Sequence, residues 1–347
     1  MCTMGVMSED SEGRFRAHKH YVEAFGMLAG KKLTTLNPVA LQRVAVRASA
    51  VGVPTDRQPP AIDYAQVHKS LRNAWSTEVL LALPGEWARD EDEFIRLSNT
   101  WGLVQAYYVG YHATQALIVA KGARRPASHP QTQRQYSALW VDRPLELAPW
   151  TFGVCDAGWK NKPAGVTIDL SVNAWTACSE SNCWSLAAKV LKSTRDEYVQ
   201  AAFNAKRDEG QRERRKKWEE DEAQRVGSGR SPRPRPQSFR RPLLTATQKA
   251  ACDKSVRTYT FLDYLYRLRI RANYDDAAVF IDGPENETDS YLLHKRMNFL
   301  ASGLALITEL RVKNLVGAAK FNRWADAFIA NIPSGYSLGI KERRPML

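Results

Sequence analysis

Residues 97–120 run for 24 positions without one Asp, Glu, Lys or Arg. As a helix, a run of that length reaches across a bilayer. A chain carrying it must either span a membrane or wrap the segment in protein. The polar content decides between the two. Asn99, Gln105, His112 and Gln115 interrupt the run, as do the polar tips of Trp101, Tyr107, Tyr108 and Tyr111. Polar groups at mid-membrane are costly. The segment therefore predicts a central helix buried inside a helical bundle, with no membrane partner. The first sixteen residues, MCTMGVMSEDSEGRFR, have no apolar core of the signal-peptide kind, so the expected location is cytoplasmic.

A bundle around such a helix needs enough apolar chain, and 347 residues at 44% hydrophobic supply it without a disulfide or structural metal. The five cysteines (Cys2, Cys155, Cys178, Cys183, Cys252) are odd in number and irregularly spaced. Cys178-x4-Cys183 departs from the short C-x2-C knuckles that zinc prefers, and no fourth ligand lies near it. Free thiols are expected, with no metal and no cofactor. Fifty Lys plus Arg against 37 Asp plus Glu leave +13, which points to a polyanionic partner.

The fold class expected is mainly α, with a small β insertion and a charged linker. Residues 1–143 form the N-terminal helical part, from about Arg16 onward. Helices are expected at 39–50, at 64–83 (stopped by Pro84-Gly85) and at 90–121, with Gly122 as a C-cap. Asp90, Glu91, Asp92 and Glu93 would occupy the first turn of the last of these, where the helix dipole favours acids. Residues 52–60 are Pro-rich and turn-like.

Residues 144–180 change period. Trp150, Phe152, Val154, Val166, Ile168, Leu170, Val172 and Trp175 alternate between turn residues, a β signature, and 166–172 (VTIDLSV) is the best strand. Residues 181–244 are a charged helix and an Arg/Pro-rich linker, and 206–241 alone hold 13 basic and seven acidic residues. The linker is expected to be extended and mobile. Arg230, Arg233, Arg235, Arg240 and Arg241 are its candidate electrostatic tether for nucleic acid, against the plainer reading of a solvated helix and loop. Residues 245–347 complete the bundle. Thr245-x-x-Gln248 has the form of a capping box. Core stripes follow at Phe261, Leu265, Leu268 and Ala272, at Leu293, Met297, Leu300, Leu304 and Ile307, and at Phe321, Trp324 and Phe328.

Residues 106–122 read AYYVGYHATQALIVAKG, followed by the loop ARRPASHP and, far downstream, by RLRIRANYDDAAVF at 267–280. This trio resembles the HEPN superfamily (higher eukaryotes and prokaryotes nucleotide-binding). Tyr108, His112 and Gly122 match the family's helix, and His129 matches the loop. Arg271, Ala272, Tyr274 and Asp275 match its last motif, with Asn273 where the family often has Asp. The resemblance covers 90–135 and 258–312, less than a third of the chain, and is interrupted by about 120 residues. It implies an antiparallel four- or five-helix bundle, commonly a homodimer.

The family includes metal-independent RNases with an Arg-x4-6-His motif. It also includes RNA- or nucleotide-binding proteins that act beside a nucleotidyltransferase, often in toxin–antitoxin or defence settings. Arg plus His suits RNA cleavage. A histidine moves the protons of the 2′-OH near neutral pH, and a forked cation stabilises the charged phosphorane.

Two such spacings occur, Arg124-x4-His129 and Arg14-x5-His20. The first is the candidate catalytic pair, with ligand contact or a capping role for His129 as alternatives. Tyr108, His112, Arg271, Tyr274 and Asp275 are candidate nucleotide- or RNA-binding residues in a polar groove, although His112 also suits a buried core position. Asp275 and Asp276 point to different faces of a helix, which favours pairing with Arg267 or Arg271 over metal binding. The chain has no phosphate-binding P-loop, dinucleotide glycine fingerprint, zinc-protease motif or nucleophile elbow. The alternative to an RNA-directed protein is a non-catalytic module binding a partner protein or nucleic acid.

Overall fold

The uncharged segment is a helix, and two of the other long helices pack along it. The computed structural model describes residues 4–30, 38–51, 61–87, 92–142, 146–275, 277–284, 287–333, 336 and 338–347. Cys2, residues 52–60, Asp90, Glu91, Asp276 and Asn286 lie outside these, as does the Asp275 side chain. The described helices in chain order begin with α1 (Met4–Gly30), α2 (Pro38–Ala50), α3 (Tyr64–Trp87), α4 (Asp92–Ala120) and α5 (His129–Tyr136). After them come α6 (Cys183–Gly227), α7 (Ala246–Ser255), α8 (Phe261–Ile270), α9 (Ala277–Asp282), α10 (Glu287–Val316), α11 (Ala318–Ile329) and α12 (Ile340–Arg343). The strands are β1 (Gly153–Cys155), β2 (Gly158–Lys160) and β3 (Tyr259–Thr260). Among the described residues no helix is long and apolar enough to cross a membrane.

Helix α4 packs against α3, α10 and α8. Ala106, Tyr107, Val109, Ala116 and Leu117 are buried along it. Gly110 permits the close approach, since a Cβ there would come within 2.7 Å of Leu304 and 3.2 Å of Leu262. The predicted stripes at Leu293–Met297–Leu300–Leu304–Ile307 and Phe261–Leu265–Leu268–Ala272 are buried throughout. Gly122 takes φ 77° as α4 ends, and the Thr245/Gln248 capping box forms at α7.

Three expectations are corrected, the first being the bounds of two helices. Helix α3 continues through Pro84 to Trp87. The missing N–H leaves only the Leu80 carbonyl without its helix donor, and Gly85 leaves room for His294, whose Nε2 would lie 3.0 Å from a Cβ there. Helix α1 starts well before Arg16.

The second correction concerns the β insertion. Residues 166–172 form no strand. Their alternation is real: Val166, Ile168, Leu170 and Val172 are half-buried, while Thr167, Asp169 and Ser171 are exposed. The backbone, however, bonds to side chains of α6 rather than to a strand. Asp169 N donates to Ser185 Oγ (2.9 Å) and Lys189 donates to the Val172 carbonyl. Trp175, expected to alternate inward with them, is exposed. The sheet is instead antiparallel in the order β2-β1-β3, with Val154 opposite both Trp159 and Tyr259.

The third correction concerns the linker, which folds back along α6. Gln211 and Arg214 donate to the carbonyls of Phe239 and Arg240. Trp218 meets the Phe239 ring edge-on at 6.1 Å. Arg233 clamps Glu222, Arg235 pairs with Glu219 (3.0 Å) and Arg241 with Asp208 (2.7 Å). Carboxylates on the helix neutralise arginines on the linker, and this holds it as a strap.

Candidate functional site: a tyrosine–histidine–arginine cluster

The loop after α4 turns the chain back so that α5 begins beside α4. Ser128 is extended (φ −137°, ψ 159°) and caps α5 by accepting from Gln131 N, with Pro130 in the first turn. His129 is thereby the first residue of α5 and returns to the α4 face that carries Tyr107, Tyr108 and Tyr111. Those residues, with His112 and Gln115, share one face at helical spacing.

His129 Nδ1 lies 2.7 Å from Tyr107 Oη. Its ring stands 4.7 Å from Tyr111, 5.5 Å from Tyr266 and 5.6 Å from Tyr107, centroid to centroid. The guanidinium of Arg269 covers the same group, 5.3 Å from the Tyr108 ring and 5.7 Å from that of Tyr266. Such distances are those of cation–π contacts. His112 stacks on Tyr108 with centroids 5.8 Å apart. At its edge Arg125 Nε donates to Gln115 Oε1 (3.0 Å), and Gln115 donates to the Pro126 carbonyl (3.3 Å). Tyr107 is fully buried, while Tyr108, His112, His129, Tyr266 and Arg269 are half-buried and reachable from solvent.

The electrostatics are those of neutral bases under fixed cations. Burial lowers the His129 pKa below the ordinary imidazole value, and Arg269 lowers it further. Burial, Arg125 and His129 together bring His112 down to about 4. Burial raises the Tyr107 hydroxyl far above the ordinary phenol range, so it stays protonated. Near neutral pH the cluster therefore offers an imidazole free to take a proton, anchored through Nδ1, with guanidiniums beside it. Among the described residues no carboxylate pairs with His129, Arg269 or His112. The arrangement can bind an anion, stack planar rings and move a proton.

The sequence-derived residues divide around this cluster. Tyr108, His112 and His129 come together. Arg124 is exposed and makes no hydrogen bond or ion pair among the described residues, so the guanidinium in the cluster is that of Arg269, over the Tyr108 ring. The groove joining Tyr108, His112, Arg271 and Tyr274 does not form. Arg269 and Arg271 are two residues apart on a helical turn and point to opposite sides. Arg271 reaches His18, with Nη1 3.3 Å from Nε2, and Tyr274 is 74% exposed. His20 of the second Arg-His spacing donates from Nδ1 to the Ala174 carbonyl (2.9 Å), pinning the coil to α1. Among the described residues Arg230 and Arg240 of the tether are exposed without an ion pair, whereas Arg233, Arg235 and Arg241 are paired.

Tyr107 and Tyr111 are legible in the sequence only as polar interruptions of the central helix, and nothing there marks Tyr266 or Arg269 as site residues. The i,i+3 spacing of Tyr266 and Arg269 on a helix already known to face α4 is the signal that would have found them. Among the described residues no group of three or more His, Cys, Asp or Glu is placed to hold a metal ion. No family model, no curated protein and no solved structure matches the chain.

Proposed function

We propose that this is an RNA- or nucleotide-binding helical protein of HEPN type, and that it cleaves RNA without a metal at the cluster around His129. His129 acts as the proton acceptor and donor. Arg269, rather than Arg124, clamps the phosphate. Tyr108 and Tyr266 supply aromatic faces on which bases stack. The observation that carries the reading is His129 itself: a solvent-reachable imidazole fixed through Nδ1 by Tyr107, its pKa lowered by burial and by the charge of Arg269. The +13 net charge supports a polyanionic substrate. The homodimer, the nucleotidyltransferase-type partner, the cytoplasmic location and the toxin or defence setting belong to the same proposal through the resemblance.

One observation favours a second reading, RNA binding without cleavage. Arg124, which supplies the family spacing, stands away from the cluster. Cleavage of labelled RNA in EDTA separates the two. Under the nuclease reading the wild type cleaves, His129→Ala lowers the rate by about 10²- to 10⁴-fold, Arg269→Gln lowers it comparably, and Arg124→Ala does not. Wild-type binding without cleavage, weakened by Arg269→Gln, establishes the second reading. RNA affinity unchanged in both Arg269→Gln and His129→Ala removes the cluster from either role.

A further inference from the structure

A cavity of about 210 Å³ lies between α1, α6 and α8. It shares no residue with the His129 cluster. Arg14, His18, Tyr264, Arg267 and Arg271 line it, with Trp175 also in the wall, and among the described residues no Asp or Glu does. Glu197, the partner of Arg267, is not among the lining residues.

The buried hydrogen-bonding groups here are incompletely used. Among the described residues His18 Nδ1, Tyr264 Oη and Arg267 Nη1 are buried with no hydrogen-bond partner. His18 is 6% exposed and Tyr264 1%. Leaving such groups unpaired costs free energy, so three in the lining of one cavity call for a ligand. Their polarity can be assigned. A guanidinium only donates, so the 3.3 Å contact from Arg271 Nη1 makes His18 Nε2 an acceptor. A neutral ring then carries its hydrogen on Nδ1. Burial, followed by Arg271, Arg14 and Arg267, lowers His18 to about 3 and keeps it neutral. Burial raises the Tyr264 hydroxyl, which stays an O–H donor. All three unused atoms are donors.

We propose that this cavity is a binding site for a phosphoryl group, taken as inorganic phosphate or as the phosphate of a nucleoside monophosphate. Tetrahedral phosphate oxygens accept from several directions at once, which matches donors brought to one cavity from α1 and α8. The volume exceeds one phosphate ion, and the exposed Trp175 offers a stacking face for an attached base.

The test is calorimetric titration and thermal unfolding of the full chain with inorganic phosphate, AMP and adenosine, with chloride as the control at matched ionic strength. Phosphate is expected to bind one per chain and to raise the melting temperature above the chloride control. AMP binding more tightly than phosphate, and more weakly in Trp175→Ala, identifies the nucleotide as the source. AMP and phosphate binding equally identifies the free anion. Tyr264→Phe removes only an unpartnered hydroxyl, so the unliganded protein keeps or gains melting temperature while phosphate affinity falls about tenfold. Arg271→Gln lowers it at least as much. His129→Ala leaves it unchanged, so this site stands or falls apart from the RNA reading. Equal melting shifts with phosphate and chloride, wild-type phosphate affinity in Tyr264→Phe, or adenosine binding as well as AMP overturns the proposal.

Discussion

Arg343 has no solvent exposure and sits between two carboxylates that have almost none. Its Nη2 lies 2.7 Å from Glu309 Oε1 and its Nε 3.1 Å from Glu309 Oε2, while Nη1 pairs with Glu78. Trp75 Nε1 donates to Glu309 (2.8 Å) and Ser302 Oγ to Glu78 (2.5 Å). Burial works against the guanidinium's charge, but Glu309 and Glu78 outweigh it and raise the pKa. Gly339 belongs to the same device. Its φ is +56°, and a Cβ there would stand 2.9 Å from Glu78 Oε2. Residues 78, 309 and 343 are too far apart in sequence for any spacing to join them, so this network was not legible before the fold. Arg343→Met strands two buried carboxylates and is expected to cost about 3–5 kcal/mol in urea unfolding. Adding Glu309→Gln should return part of that loss, because one of the stranded charges is gone. A loss below about 1 kcal/mol for the single variant would mean that the network does not hold the C-terminal residues to the bundle.

At the scale of elements, local period decides what the sequence discloses. The stripes at 261–272 and 293–307 are helix faces because every contact they need is set by a 3.6-residue repeat. The three-stranded sheet hid for the opposite reason. Val154 on β1 faces Tyr259 on β3, a partner about a hundred residues on, and the two-residue β3 has no alternation to read. The segment 166–172 misled because alternation reports two faces, not a ladder, and α6 supplies the hydrogen bonds. The candidate site was legible as far as Tyr108, His112 and His129, which the resemblance marks. The arginine was not, since which of Arg267, Arg269 and Arg271 reaches α4 depends on helix phase. Phase also gives Gly303 on α10 its role. An added Cβ would meet the Trp150 ring at 2.3 Å, and that indole is held by its hydrogen bond to the Leu300 carbonyl (3.1 Å). Helix propensity alone makes Gly303→Ala stabilising by about 1 kcal/mol. The ring reverses the sign, and a net loss of about 1–3 kcal/mol is expected. Chemical denaturation measures it, and a gain would show that Trp150 can leave α10 at no cost.

Across the whole molecule the charge is unevenly placed. About half of the +13 falls within 206–241, the end of α6 and the strap that returns along it. Six of the 13 basic residues there pair with five of the seven acidic ones. Seven cations then face two carboxylates on an exposed hairpin of helix and strap. Pairing has a consequence that composition conceals. Arg233, Arg235 and Arg241 hold the arm's shape, so the charge left to meet a polyanion lies with Arg207, Arg212, Arg214, Lys217, Arg225, Arg230 and Arg240. A flexible tether would gather phosphates by diffusion of a mobile chain, whereas a folded arm presents its charge at fixed positions. In both cases binding releases counterions, and the logarithm of affinity falls with the logarithm of salt by about 0.7 per phosphate contact on single strands. Excising 206–241 and closing the gap with a short Gly/Ser turn should flatten that slope by at least about 2. Replacing Arg212, Lys217, Arg230 and Arg240 by Gln should reproduce much of the change with the arm intact. Replacing Arg233 by Gln should loosen the strap, read as faster proteolysis near Ser231, with little change in slope. A slope that survives the excision would place the RNA contact wholly on the bundle, around Arg269 and His129.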